Sequence, residues 1–566
     1  MSMISKNFRI ILAFVLLSIV FCMQKVSPLP IASAAGTVTL TADTTARTAT
    51  ISNEYITIRF DSSGKGVSLK KGGTELIGSA AGFYWSTENG GLSPTQLQIV
   101  TNTSDMVDIA YVGSAGELHY VVRSGVSGVY SYYVTDSVGT IAELRTVYRV
   151  DGQIFRNAYI GERSGSLPTL AQIQGATELQ DSTYQLADGT IYTKYDWAGY
   201  YKNDFVHGVY GNGYGVWVIP ASKEYNDGGP LKQDLMVHLE SNTGDAVVLN
   251  MLTSSHFGTG SRTLPSGKIF GPWLVYVNNG SSSDAVSRSS TERAAWPYSW
   301  LSDSSYPLSR STVTGNLQVA DGRSTSGATV VLAKSGEIYT QGNDYMFWAT
   351  VDSSGNFSIP KVRPGTYMLY AYATSGDITH QYSKNITVSG ITTDLGTLTW
   401  APQNYTNKLW QIGKADRKAT EFKFGNISRQ YGLPAQVPAN FTYTIGTTHS
   451  SDWYYAQTKI GSWDINFNLT STYSKNAYLT VAMASIAKNP ITDVFVNGTN
   501  IGTLDYSSIN DGTTYRSVTE SGRYQLQEIS FPASLLIVGT NTVSLKMKSV
   551  GTDGGILYDT IKLEAN

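Results

Sequence analysis

From Val38 onward the chain is written in short runs where apolar and polar residues alternate, the period of strands that bury one face. Ile51-Ser-Asn-Glu-Tyr-Ile-Thr-Ile-Arg-Phe60 is such a run, closed by the turn Asp61-Ser-Ser-Gly-Lys-Gly66. Further strands are predicted over residues 118–122, 130–134, 142–150 and 215–219, with a late one at Gly271-Pro-Trp-Leu-Val-Tyr-Val-Asn278. The only helical stretch in this series falls at residues 283–295, and Trp296-Pro-Tyr-Ser-Trp300 packs behind it at the domain's end. A long series of strands with no helical linker predicts one large sandwich.

Polar residues and a proline around 302–310 break the series. A compact unit follows, from Thr312-Val-Thr-Gly-Asn-Leu-Gln-Val319 through the turn Asp352-Ser-Ser-Gly355 to Thr366-Tyr-Met-Leu-Tyr-Ala-Tyr372 and on to Leu398. Its close strand spacing predicts a small immunoglobulin-like or fibronectin-like sandwich, a rigid spacer without its own chemical centre. A third set of strands, at 463–469, 477–484, 491–496, 524–529, 542–547 and 555–563, has the spacing of a jelly roll. The fold class is therefore all-β, with sandwiches over residues 35–308, 309–402 and 403–566.

Residues 1–34 have another character. Lys6 and Arg9 precede an almost wholly apolar run from 10 to 22, and Ala32-Ser33-Ala34 fits a small-residue cleavage site. The run is too short for the roughly 20 residues of a membrane span. An export signal is expected, with a soluble, extracellular mature chain. The single cysteine, Cys22, lies inside this leader behind the bulky Val20-Phe21, which disfavours a lipidated cysteine. Its loss leaves a mature chain with no disulfide framework, no thiolate metal site and no catalytic thiol. Removing Lys6, Arg9 and Lys25 leaves 38 basic against 43 acidic residues, a net charge of −5. Charged residues are only 15% of the chain and tyrosines number 37, which fits turn-rich β structure and not a general nucleic-acid binder.

Six histidines exist, and three of them fall between residues 194 and 257. That segment contains Lys194-Tyr-Asp-Trp-Ala-Gly-Tyr-Tyr-Lys-Asn-Asp-Phe-Val-His-Gly208, then Gly228-Gly-Pro-Leu-Lys-Gln-Asp-Leu235, then Ser254-Ser-His-Phe-Gly258. The Gly228-Gly-Pro230 turn is expected to aim its neighbours into a cleft. The spacings of 31 and 18 residues between His207, His238 and His256 match no short metal motif. No Gly-x-Ser-x-Gly elbow is present for acyl transfer. Asp196, Asp204, Asp227, Asp234 and Glu240 leave a two-carboxylate hydrolysis open. A cleft rich in lysine and histidine better suits an anionic sugar. Uronate polymers permit β-elimination, in which a base takes the C5 proton beside a carboxylate neutralised by a cation, and the O4 substituent leaves with a proton.

Lys194-Tyr195, Val206-His-Gly208, Gly228-Gly-Pro-Leu-Lys-Gln-Asp-Leu235, Ser254-Ser-His-Phe-Gly258, Leu409-Trp-Gln-Ile-Gly413 and Ile556-Leu-Tyr-Asp-Thr-Ile-Lys-Leu563 run in order through the chain. Together they resemble the rhamnogalacturonan endolyases of polysaccharide lyase family 4. The resemblance implies a large catalytic sandwich, a fibronectin type III-like domain and a carbohydrate-binding-like jelly roll. It implies cleavage of the α-1,4 bond between rhamnose and galacturonate in rhamnogalacturonan I, leaving a 4,5-unsaturated galacturonate. It also implies catalytic roles for Lys194 and His256, with His256 as base and Lys194 as its partner, or the reverse. Arg149, with Arg145 close behind, falls in the strand that carries a family arginine. Lys202, His207, Lys232 and His238 are the remaining substrate-side candidates. The glutamate that fungal members carry beyond the histidine is missing, with Thr259 near its place.

The chemistry requires no cofactor, although the turn Asp352–Asn356 offers ligands for a structural calcium ion. The expected partner is the pectic polymer, attacked in endo fashion by a monomer, with no nucleic acid and no membrane. In the third domain, Trp410 and Trp463 are expected in the core, and Trp453 and Tyr454, in a polar stretch, at the surface. The rival readings are a non-catalytic glycan-binding protein on the same scaffold and a lyase for another uronate polymer.

Overall fold

A computed structural model describes residues 37–566 apart from Ser255, Thr259, Ser428, Tyr515 and Ser521. The expected leader and Cys22 lie outside the described residues. Strands dominate, and they fall into sheets that pack as sandwiches, as the all-β pattern predicts.

The N-terminal unit stacks a ten-stranded sheet on a nine-stranded one. The first ends in the neighbouring strands Gly82–Thr87, Leu144–Val150, Ala246–Thr253 and Val237–Leu239. Alternation sends Phe83, Trp85, Tyr148, Val150, Val248 and Leu252 inward to the main core. The same alternation sends Tyr84, Arg145, Val147, Arg149, Val247 and Leu249 to the opposite face. In the second sheet, Ile269–Asn278 lies between Tyr214–Pro220 and Gly128–Thr135. The helix Ser282–Ala295 covers that sheet from outside, together with Trp296 and Tyr298. Ser281 caps the helix by accepting from the Asp284 N–H at 3.1 Å.

The run from Ile51 to Phe60 is two strands, not one. Thr48–Ser52 and Ile56–Phe60 form a hairpin because Asn53 Oδ1 accepts the N–H groups of Tyr55 and Ile56, each at 3.0 Å. This side-chain turn offers the backbone an alternative to a continuous ladder.

The middle unit packs a three-stranded sheet on a four-stranded one, around Val313, Leu317, Val330, Leu369 and Trp400. The C-terminal unit packs two five-stranded sheets. Trp410 and Trp463 lie in its core, as expected. Trp453 does too, against expectation: it is fully buried and meets Trp463 edge-on at 5.0 Å. The short 3-10 turn Ser450–Asp452 folds the polar stretch back so that the following indole points inward. Tyr454 is half-buried, edge-on to Phe441 at 5.3 Å. None of the described helices is long and apolar enough to cross a membrane.

Candidate active site

The outward face of the first sheet's end is not bare. Tyr84, Val147 and Leu249 stand in register across three strands, as do Arg149, Val247 and His238, and Arg145 and Met251. Val147, Leu235, Val247, Leu249 and Met251 form an apolar floor. Above it lies a cleft of about 190 Å³ lined by Tyr84, Arg145, Arg149, Lys194, His238, Glu240 and His256 among others. The fold thus brings together Lys194, His256, Arg145, Arg149 and His238, drawn from four separate segments.

Lys194 opens a 3-10 turn, Lys194–Trp197, that follows the strand Ile191–Thr193. Thr193 caps the turn by accepting from the Tyr195 N–H at 3.3 Å. Lys194 Nζ donates to Asp181 Oδ1 at 3.2 Å, and the Tyr195 hydroxyl donates to Asp181 Oδ2 at 2.6 Å. Burial raises the Asp181 carboxyl, but Tyr195, Lys194 and then Arg516 outweigh it and hold it below the usual carboxylate range.

His256 stands in the loop after Ala246–Thr253. Its own N–H bonds back to Ser254 Oγ at 3.0 Å, a side-chain turn that fixes the backbone. Its Nδ1 lies 2.9 Å from Ser254 Oγ and 3.2 Å from Asp234 Oδ1. Asp234 is fully buried. Burial pushes its carboxyl up, yet the Lys232 ammonium and then His256 hold it below the usual range, so it stays ionised. An ionised acceptor at Nδ1 keeps the proton there and leaves the Nε2 lone pair for chemistry. Nε2 in turn faces Glu143 Oε2 at 3.5 Å.

The two arginines are held by carboxylates. Arg145 pairs with Glu143 at 2.9 Å, and Arg149 with Glu240 at 2.7 Å and Asp245 at 3.5 Å. His238 donates from Nδ1 to the Leu239 carbonyl at 2.9 Å. Burial, opposed by that bond and aided by Lys194, pulls its pKa down from 6.5 to about 4. It is neutral near pH 7, with Nε2 an acceptor.

Three candidates lie elsewhere. His207 is buried and spends both ring nitrogens internally, Nδ1 on Asp204 at 3.0 Å and Nε2 on the Leu249 carbonyl at 2.7 Å. Lys232 is fully buried beneath the site, donating to the Ser254 carbonyl at 2.9 Å with Asp234 Oδ2 at 3.7 Å. The Gly228-Gly-Pro230 turn therefore aims Lys232 under the catalytic loop instead of into the cleft. Lys202 packs over the Tyr200 ring at 4.9 Å, outside the cleft lining. His207 and Lys232 are thus internal supports of the site and not substrate contacts, while Lys202 is half-buried outside the cleft lining.

Among the carboxylates considered for hydrolysis, Asp234 and Glu240 are at the site, but as partners of His256 and Arg149. Glu143 and Tyr84 escaped the sequence reading. Glu143 is two residues before Arg145, and the period of two in 143, 145, 147 and 149 was the signal that could have found it. Thr259, the position matched to the fungal glutamate, lies outside the described residues. Among the described residues no group of three or more His, Cys, Asp or Glu is arranged to hold a metal ion. Asp352 spends its Oδ1 on the N–H groups of Ser354 and Asn356, at 2.8 and 2.9 Å, closing its own turn.

Three family models match in order: rhamnogalacturonan lyase B, N-terminal, over residues 42–298; polysaccharide lyase family 4, domain II, over 320–395; and polysaccharide lyase family 4, domain III, over 408–563. A rhamnogalacturonate lyase of Dickeya dadantii is 38% identical across 94% of this chain and 95% of its own length. The chain belongs to polysaccharide lyase family 4. A probable rhamnogalacturonate lyase B of Aspergillus terreus is 25% identical across 94% of this chain and 98% of its own. The lyase is thus related to curated enzymes along nearly its whole length, and the cleft lies within the segment matched by the N-terminal model.

Proposed function

We propose that this lyase acts outside the cell on rhamnogalacturonan I and breaks the α-1,4 bond between rhamnose and galacturonate by β-elimination. The observation that carries the proposal is the gathering of Lys194, His256, Arg145 and Arg149 around one cleft. The names of its relatives support the substrate class, and the leader read in residues 1–34 supports export.

The galacturonate carboxylate sits against Arg145 and Arg149, whose charge lowers the barrier to removing the C5 proton and stabilises the enolate. His256 Nε2 takes that proton. Asp234 and Glu143, one at each ring nitrogen, stabilise the imidazolium that forms. The electron pair moves into a C4–C5 double bond, the C4–O4 bond breaks, and Lys194 gives a proton to the departing oxygen. Neutral His238 accepts a hydrogen bond from a sugar hydroxyl.

The test is a mass balance on a rhamnogalacturonan I oligosaccharide of defined length. Elimination gives products whose masses sum to that of the substrate, with the unsaturated galacturonate at a new non-reducing end. A gain of one water per cleavage means hydrolysis. Binding without cleavage means a glycan-binding protein, and preferred turnover of a pure galacturonate polymer means a different target.

A further inference from the structure

Lys194 belongs to the N-terminal unit, but its turn is packed against the C-terminal one. The Arg516 guanidinium lies 4.0 Å from the centre of the Tyr195 ring and 5.2 Å from that of Phe257. Tyr195 follows Lys194 in the chain and Phe257 follows His256, so one C-terminal side chain touches the neighbours of both. Val518 packs into the same cluster with Tyr195, Ala198 and Phe257. The approach is tight enough to require glycine at 258, where φ is +87° and an added Cβ would fall 2.0 Å from Asp511 Cβ.

The same guanidinium reaches Asp181. Arg516 Nη2 is 4.0 Å from Asp181 Oδ2, while Lys194 Nζ bonds Oδ1 at 3.2 Å. Arg516 Nε and Nη1 are buried with no hydrogen-bond partner among the described residues, so Arg516 acts here by charge and by stacking. A carboxylate facing Lys194 alone would draw the ammonium onto itself and away from the cleft. A second cation on its other oxygen divides that attraction.

We infer that Arg516 of the C-terminal domain is a positioning residue for Lys194, acting through Asp181. The domain that the family layout casts as a sugar-binding module is then also a working part of the catalytic site. The inference rests on the reading of Lys194 as a participant in the elimination.

Steady-state elimination by the full-length chain on rhamnogalacturonan I oligosaccharides tests it. Arg516→Gln is expected to lower kcat about 10-fold or more while KM stays within about 2-fold, the signature of a misplaced group and not of lost sugar binding. Arg516→Lys restores the charge beside Asp181 and is expected to recover most of that kcat. In an Asp181→Asn background, Arg516→Gln should add less than about a 2-fold loss, because the route through the carboxylate is already cut. Asp181 is about half exposed, so Asp181→Asn by itself reads the part played by the carboxylate in a folded chain even if Arg516→Gln does not fold. A kcat for Arg516→Gln equal to that of the parent, or an undiminished loss in the Asp181→Asn background, overturns the inference. Lys194→Ala is the separating arm: a fully active Lys194→Ala sinks the reading of Lys194 itself, whereas an inactive one beside a normal Arg516→Gln sinks only the role of Arg516.

Discussion

His256 has a carboxylate at each ring nitrogen, and the two do different work. Asp234 is buried and kept ionised by Lys232, so it fixes the ring and the proton on Nδ1. Glu143 faces the cleft side, where charge develops when Nε2 takes a proton. Asp234→Asn keeps the shape but can present an N–H to Nδ1, which moves the ring proton to Nε2 and removes the base. We predict a kcat loss of about 10²–10⁴-fold with an unchanged fold, measured by steady-state kinetics and circular dichroism. His238 gives a pH prediction. Its pKa is about 4 in the folded chain against an ordinary 6.5, held down first by burial and then by the nearby Lys194 and Arg149, against the pull of Glu240 and the Leu239 carbonyl. The unfolded chain therefore binds this proton first as the pH falls, and the contribution present above pH 6.5 is lost progressively down to pH 4. His238→Gln should flatten that part of the stability curve in urea titrations. A mutant curve parallel to the parent's would contradict the assignment.

At the scale of elements, the alternation of residues was enough to find many of the longer strands, among them the one at 142–150 that carries Arg145 and Arg149. The helix read at 283–295 is the helix Ser282–Ala295. What alternation misses is local turn chemistry and contact across sequence. Asn53 splits a run that looks continuous, because two hydrogen bonds to its side chain cannot be seen in hydropathy. His207, Lys202 and Lys232 share the composition of the catalytic segment, but pairing across sequence, such as that of Ala198–Tyr200 with Gln233–Leu235 and of His207–Gly211 with Tyr214–Pro220, leaves all three outside the cleft lining. Trp453 was misread for a similar reason: its neighbours are polar, while its ring sits among Phe441, Tyr443, Trp463 and Tyr558. Trp453→Ala should cost about 3–5 kcal/mol of stability by denaturant unfolding, the loss expected for emptying a large core site. A loss below about 1 kcal/mol, with weakened glycan binding, would instead restore the surface reading.

At the scale of the whole molecule, the three units are joined by ion pairs as well as by chain. Glu224 of the first unit accepts from Arg310 at 2.6 Å and from Arg363 at 2.7 Å, both beyond the seam. Glu337 of the middle unit pairs with Arg523 of the last at 2.8 Å. Such pairs, buried around Glu224 and half-buried at Glu337, fix geometry more than they add stability. Fixed geometry is what the cleft needs, because its floor and arginines come from the first unit while its lysine turn and histidine loop rest on the last. The central claim is that these parts perform an elimination. The most direct measurement is the ultraviolet absorbance of the 4,5-unsaturated uronate during incubation with rhamnogalacturonan I, for the parent chain, Lys194→Ala and His256→Ala. The account predicts a steady rise for the parent and a rate at least about 10²-fold lower for each variant. New reducing ends without that absorbance, or full activity in both variants, would contradict it.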